Sequence, residues 1–178
     1  MTARQNHGFV NEARIKSKYN LLPYSDESYT AKYDALSSTG IPISIKVAKL
    51  GKEICLGDYR RNSENKEGFY LILSIWEGRK DNIVRESCLY FPGITWNSFF
   101  DKNVAIKARE LIGNASNASE YNPIWKAGIE ELKSLNASKY IRLRPKRDSK
   151  RQRRMQCAIS SRYLDFRKPL WNYDLKGA

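Results

Sequence analysis

The feature that constrains the fold most is a run of apolar residues at Phe69–Trp76, FYLILSIW, which only Ser74 interrupts. A membrane-spanning helix needs about 20 apolar residues, so this run is too short to cross a bilayer. Its length and its aromatic and β-branched content are typical of a buried strand, which we extend to Glu77. A polar turn at Gly78–Asp81 leads to Asn82–Phe91, which predicts an antiparallel partner strand. We therefore expect a core built around a sheet that contains this hairpin.

Helices and further strands are predicted on both sides of this hairpin. The predicted elements are a helix at Asn6–Tyr19, strands at Tyr29–Leu36 and Ile41–Ala48, a short strand at Glu53–Leu56, one or two helices in Trp96–Ile112, and a helix at Glu120–Leu135. This mixture of helices and strands predicts an α/β (α+β) fold. The 178 residues suit one compact domain, with a boundary between 1–112 and 113–178 at a polar linker.

Positive charge is concentrated near the C-terminus. The chain has a net charge of +13, and residues 139–154 contain nine basic residues and one acid, Asp148. Apolar residues alternate with these charges and predict a basic β-hairpin with strands at Tyr140–Arg144 and Arg154–Ile159. Such a cluster is typical of a polyanion-binding element, and a two-stranded ribbon fits the DNA major groove.

Several classes of site are disfavoured by what the chain contains. Its three cysteines are widely spaced and form no CxxC pair, which argues against a zinc site or a disulfide framework. The single histidine, His7, argues against a histidine-based catalytic triad. The polar N-terminal residues contain no apolar signal segment, and we expect a cytoplasmic protein without membrane association.

Four residues in the N-terminal half form a candidate catalytic group: Glu12, Asp34, Ser44 and Lys46. Strand alternation places Ser44 and Lys46 on one face of the predicted strand. If the strand bearing Asp34 pairs beside it, a carboxylate and an ammonium group meet, and Glu12 can approach from the packed helix. Two carboxylates bind Mg²⁺ well, and a neighbouring lysine can orient water and stabilise developing negative charge.

This arrangement resembles the PD-(D/E)XK nuclease superfamily. The resemblance implies the restriction-endonuclease-like fold, in which helices flank a central mixed β-sheet. The resemblance implies that Asp34 is the first acid, Lys46 the lysine and Glu12 the acid that many members carry on the first helix. It also implies Mg²⁺ as cofactor, for which Mn²⁺ can substitute. Tyr33 stands where the family has proline, and Ser44 stands where it has the second acid, as in some restriction enzymes that read Ser-X-Lys.

The missing acid then has to come from another element. The candidates are Glu12, Asp58 in the segment GDYRRN and, with less support, Glu53. Asp34, Glu12 and Asp58 are thus the expected metal ligands. The sequence alone leaves Glu12, Asp58 and Glu53 all open as the source of the second acid.

The resemblance implies a site-specific double-strand DNA endonuclease of the homing or restriction type. One active site cuts one strand, so we expect a homodimer or homotetramer. Residues expected to contact DNA are Arg60, Arg61 and Asn62 in a loop and, in the basic cluster, Arg142, Arg144, Lys146, Arg147, Lys150, Arg151, Arg153 and Arg154.

Simpler interpretations exist for the candidate catalytic residues. Glu12 and Lys16 form an ordinary i,i+4 helix pair, Asp34 could fix a turn, and Lys46 could lie on a solvated strand face. The corresponding alternative functions are a non-catalytic nucleic-acid-binding protein and a structure-specific repair or resolvase nuclease. The first would bind without cutting, and the second would cut branched DNA but not linear duplexes.

Overall fold

The computed structural model describes residues 3–25, 31–113, 140–145 and 155–160. In chain order the elements are α1 (Ala3–Lys18), β1 (Ala35–Leu36), β2 (Pro42–Lys49), β3 (Glu53–Asp58), α2 (Tyr59–Ser63), β4 (Phe69–Trp76), β5 (Ile83–Phe91), α3 (Gly93–Asn97), α4 (Lys102–Gly113), β6 (Ile141–Pro145) and β7 (Met155–Ser160). The predicted mixed α+β class is confirmed. The predicted helix at Glu120–Leu135 lies outside the described residues.

The chain divides into two compact units that are interleaved in the sequence. Among the described residues, the first contains those up to Ile54 and Glu67–Gly93, and the second contains Cys55–Lys66 and those from Ile94 to Ser160. The predicted boundary between 1–112 and 113–178 stays a prediction. Each unit is described separately below.

The first unit contains a four-stranded mixed sheet in the order β1-β2-β4-β5. β2 and β4 run parallel, with Ser44 opposite Leu71 and Lys46 opposite Leu73. β1 pairs antiparallel with β2, and β5 pairs antiparallel with β4. The predicted hairpin of Phe69–Glu77 and Asn82–Phe91 is confirmed, and the mixed sheet places the strand that bears Lys46 beside its most apolar strand.

One face of this sheet is covered by α1. Ile15 is fully buried and packs in one cluster with Ile43, Ile45 and Ile72. Because side chains alternate along β2, Ser44 and Lys46 lie on the opposite face. The predicted helix is confirmed, but two of the apolar residues that suggested it, Phe9 and Val10, are 44% and 62% exposed and face away from the core.

Of the predicted strand at Tyr29–Leu36, the described residues form a strand only at Ala35–Leu36. β1 has only two residues, although the backbone N–H of Asp34 also donates to the carbonyl oxygen of Ile43 at 2.9 Å. An isolated bridge between Leu22 and Leu36 covers the outer edge of β1. Asp34 is therefore held beside β2 by a turn and by backbone hydrogen bonds, just before β1 begins.

The second unit contains a three-stranded sheet in the order β3-β7-β6 with α2, α3 and α4. The aromatic rings of Tyr59, Trp96 and Phe100 pack together in its core. β6 and β7 pair antiparallel, with Ile141 opposite Ile159. Residues 146–154, which carry most of the charges of the predicted basic hairpin, lie outside the described residues, so the hairpin as a whole stays a prediction.

In the described part of the chain, no helix is long and apolar enough to cross a membrane.

Candidate active site

The structure brings together three of the four residues that the sequence singles out. One carboxylate oxygen of Asp34, Oδ2, accepts hydrogen bonds from the backbone N–H of Ile45 at 2.6 Å and from Nζ of Lys46 at 3.2 Å. It also accepts a longer bond from Oγ of Ser44 at 3.3 Å. We name Asp34, Ser44 and Lys46 the Asp34 cluster.

The local sequence explains why these groups meet. The turn at Ser37–Gly40 closes through Ser37, and Gly40 adopts a left-handed φ of 79° that glycine tolerates without steric cost. This short turn returns the chain so that Asp34 lies beside the first half of β2. Alternation along β2 then puts both Ser44 and Lys46 on the side of the carboxylate.

The Asp34 cluster is partly open to solvent. The side chains of Asp34 and Lys46 are 25% and 24% exposed, which is enough for a ligand to reach them while keeping the ion pair partly desolvated. Lys46 Nζ also donates to the carbonyl oxygen of Ile45 at 3.1 Å, so the ammonium group is oriented by two acceptors. Among the described residues, no hydrogen bond reaches the second carboxylate oxygen, Oδ1 of Asp34.

Glu12 is not in contact with the Asp34 cluster. Its carboxylate forms an ion pair with Lys16 at 2.7 Å, the i,i+4 arrangement that was the simpler interpretation. On the helix, Glu12 and Arg14 flank Ile15 on opposite sides at 100° per residue. Since Arg14 reaches β4 and β5, Glu12 lies on the side of α1 that is nearer β2 and β1. Glu12 therefore lies near the β1–β2 edge of the sheet, but on the face opposite to Lys46.

Asp58 caps a helix. It belongs to the second unit, and its Oδ1 accepts from the backbone N–H of Arg61 at 3.0 Å at the start of α2. The predicted loop at Arg60–Asn62 is wrong, because these residues form α2. This helix is only five residues long and is stabilised by its cap rather than by a periodic apolar face.

Two of the predicted DNA contacts on α2 have partners within the protein. The side-chain amide of Asn62 donates to the carbonyl oxygens of Asp58 at 2.7 Å and Leu56 at 3.1 Å. Arg60, which is exposed, forms an ion pair with Glu64 at 2.8 Å. Both side-chain N–H groups of Asn62 are thus used to hold the start of the helix.

A divalent metal fits the described residues in part. Mg²⁺ prefers oxygen ligands and is often held by only one or two carboxylates, with water and substrate phosphate completing its shell. Asp34 Oδ1 supplies one such oxygen. Within the described ranges, no group of three or more His, Cys, Asp or Glu side chains is close enough to hold a metal ion. Neither expected second acid lies beside Asp34: Glu12 is on the opposite face of the sheet, and Asp58 belongs to the second unit.

Arg142 is exposed on β6. The side chains of the other predicted basic contacts, from Arg144 to Arg154, lie outside what the structure describes.

The sequence interpretation missed a polar cluster on the α1 face of the sheet, which we name the Glu86 cluster (Arg14, Lys18, Tyr19, Ser74 and Glu86). The Glu86 carboxylate accepts from Arg14 at 2.5 Å, Lys18 at 2.6 Å and Tyr19 at 2.5 Å. Ser74, opposite Glu86 on β4, accepts a further bond from Arg14 at 3.1 Å. The sequence carries two signals of this cluster: the cations Arg14 and Lys18 at i,i+4 on α1, and Glu86 as the single acid of a largely apolar strand.

Protonation in the Glu86 cluster is shifted by these contacts. Burial alone would raise the pKa of Glu86, but the hydrogen bonds from Lys18, Tyr19 and Arg14 outweigh it and lower the pKa from 4.5 to about 2. The hydrogen bond to Glu86 raises the pKa of Lys18. Glu86 and Lys18 are therefore both charged at neutral pH, and the ion pairs of Glu86 with Arg14 and Lys18 hold α1 against the sheet.

Comparison of the chain with protein-family models, with curated proteins and with solved structures gives no match. The candidate site is thus defined by its own residues and geometry.

Proposed function

We propose that this protein is a Mg²⁺-dependent, site-specific double-strand DNA endonuclease of the PD-(D/E)XK type, homing or restriction in role. The observation that carries the proposal is the Asp34 cluster, in which a carboxylate meets the lysine of a Ser-X-Lys strand at 3.2 Å. A lysine on a solvated strand face is surrounded by water, whereas Nζ of Lys46 donates to two acceptors and lies beside a carboxylate that is only 25% exposed.

Each residue of the Asp34 cluster has a distinct role in this proposal. Asp34 Oδ1 would hold the metal, and water and substrate phosphate would complete its shell. When bound, Mg²⁺ would neutralise phosphate charge and lower the pKa of a water molecule. Lys46 would orient the attacking water and stabilise negative charge as it develops on the phosphate. Ser44 would fix the orientation of Asp34 through its hydroxyl.

The partner in this proposal is duplex DNA. The net charge of +13 favours a polyanion, because each neutralised phosphate releases counterions. The basic cluster at residues 139–154 would hold the backbone. A homodimer or homotetramer would place two sites on the two strands.

The test is DNA cleavage by the wild type and by two lysine variants. The proposal predicts discrete products from a plasmid library with Mg²⁺, none with EDTA, and at least a 100-fold lower rate for Lys46→Ala, about 2.7 kcal/mol of barrier. The matched control is Lys66→Ala, which removes an exposed lysine from the second unit and should cut at the wild-type rate. Circular dichroism of both variants would confirm that each is folded. Equal cutting by Lys46→Ala and Lys66→Ala would refute the site.

A non-catalytic nucleic-acid-binding protein is the second candidate. It is favoured by one observation: Oδ2 of Asp34 is already satisfied by three internal donors, as in a purely structural turn. That function predicts salt-dependent binding and no Mg²⁺-dependent cleavage of any substrate. Cutting of branched DNA alone would instead identify a structure-specific nuclease.

A further inference from the structure

Two tight turns lie side by side at one end of the sheet in the first unit. β2 and β4 are parallel, and Lys49 is opposite Trp76 at the ends of both strands. The backbone N–H of Leu50 donates to the carbonyl oxygen of Trp76 at 2.8 Å, which joins the turn after β2 to the end of β4. Gly51 and Gly78 adopt left-handed φ values of 70° and 63°, so both turns reverse sharply at the same level.

These turns present four exposed basic side chains. Lys49, Lys52, Arg79 and Lys80 form what we name the turn patch, and none of them forms an ion pair with an acid among the described residues. Lys49 Nζ lies 5.4 Å from the centre of the Trp76 ring, which holds the ammonium group over an aromatic face. Two exposed acids, Glu77 and Asp81, lie in the second turn.

We infer that the turn patch binds the sugar–phosphate backbone of duplex DNA, through residues other than those of the basic C-terminal cluster. The inference rests on the proposed function for its choice of DNA. Four unpaired cations at the tips of adjoining turns can each approach a phosphate, whereas cations that are already paired gain less from one. The aromatic face beneath Lys49 limits its rotamers and lowers the entropy lost on binding.

The turn patch is a contact surface distinct from the Asp34 cluster. Lys46 and Lys49 are three residues apart on β2, so strand alternation places their side chains on opposite faces of the sheet.

The test is the salt dependence of DNA binding in EDTA, where no cleavage occurs. Each phosphate contact contributes about 0.9 to the slope of log K against log salt. Replacing all four residues of the turn patch with Gln should lower this slope by about 3.6. Between 50 and 200 mM salt the wild type should therefore lose about 150-fold more affinity than the variant. The pair Arg79→Gln and Lys80→Gln should lower it by about 1.8.

Two matched controls make the result specific. Lys66→Gln with Lys102→Gln removes two exposed lysines of the second unit and should leave the slope unchanged. Glu77→Gln with Asp81→Asn removes the acids beside the turn patch and should tighten binding, which a remote surface would not do. An unchanged slope in the four-residue variant, or a loss seen only with duplex RNA, would overturn the inference.

This outcome is separable from that of the proposed function. If the slopes change as expected but the protein never cuts DNA, the turn-patch inference is supported and the nuclease proposal is refuted. If the protein cuts DNA but the slope of the four-residue variant is unchanged, only the turn-patch inference is refuted.

Discussion

Replacing the Glu86 carboxylate with an amide should remove most of the electrostatic attachment of α1 to the sheet. In Glu86→Gln, the side chain no longer carries the charge that Arg14, Lys18 and Tyr19 share. The pKa of Glu86 falls from 4.5 to about 2 on folding. At 1.36 kcal/mol per pKa unit this shift corresponds to about 3 kcal/mol, which solvent screening of Arg14 and Lys18 reduces to about 2 kcal/mol.

The pH dependence of this contribution has a definite sign. Because folding depresses the pKa of Glu86, the unfolded chain takes up a proton near pH 4.5 that the folded protein resists until about pH 2. The stabilisation is therefore complete above about pH 5 and is lost progressively as the pH falls towards 2. The wild type should exceed Glu86→Gln in free energy of unfolding by about 2 kcal/mol at pH 7, and the two should converge at low pH.

Urea denaturation at a series of pH values between 7 and 2.5 measures this difference. Glu77→Gln is the matched control, because it removes an exposed acid that follows the neighbouring strand β4, and it should track the wild type at every pH. A constant gap between wild type and Glu86→Gln across the series would refute the linkage. A gap of the same size in Glu77→Gln would show that net charge, rather than the Glu86 cluster, is responsible.

Two further predictions concern the second unit and the thiols. Asn62→Ala removes two hydrogen bonds at the start of α2, so we expect a loss of about 1–2 kcal/mol of stability with unchanged DNA affinity, measured by denaturation and by fluorescence anisotropy; weaker binding at full stability would restore its role as a DNA contact. A thiol reagent at pH 8 should modify the exposed Cys55 quickly, whereas Cys88 and Cys157 are buried, and burial raises the pKa of Cys88 to about 12 and also raises that of Cys157. Mass spectrometry after brief labelling should therefore find one modified cysteine, and equal labelling of Cys88 would contradict its burial.

The Asp34 cluster could be predicted because its members are close in sequence. Asp34 and Lys46 are only 12 residues apart, and a single turn with strand alternation is sufficient to bring them together. The position of Glu12 was harder to predict, since a helix can pack on either face of a sheet. The periodicity of α1 did not distinguish the two faces, because its exposed side carries Phe9 and Val10.

The Glu86 cluster could not be found in this way. Its hydrogen bonds from Arg14, Lys18 and Tyr19 to the sheet link residues 60 to 72 positions apart, and they depend on which strand lies under which turn of α1. No periodic pattern encodes such a pairing. The short helix α2 was missed for a different reason: it depends on the capping contact of Asp58 and on Asn62, both of which the sequence interpretation had assigned to function.

The parallel pairing of β2 with β4 also determines when the candidate site is completed during synthesis. The turn that joins Asp34 to Lys46 can form as soon as β2 is made, but its parallel neighbour β4 arrives only after Cys55–Lys66, a segment of the other unit, has been made. A nascent chain that stops before Phe69 would leave the β4-pairing edge of β2 without its partner strand. A fragment truncated there would thus carry Asp34 and Lys46 and yet lack the strand that holds them rigid, and it would be prone to aggregate.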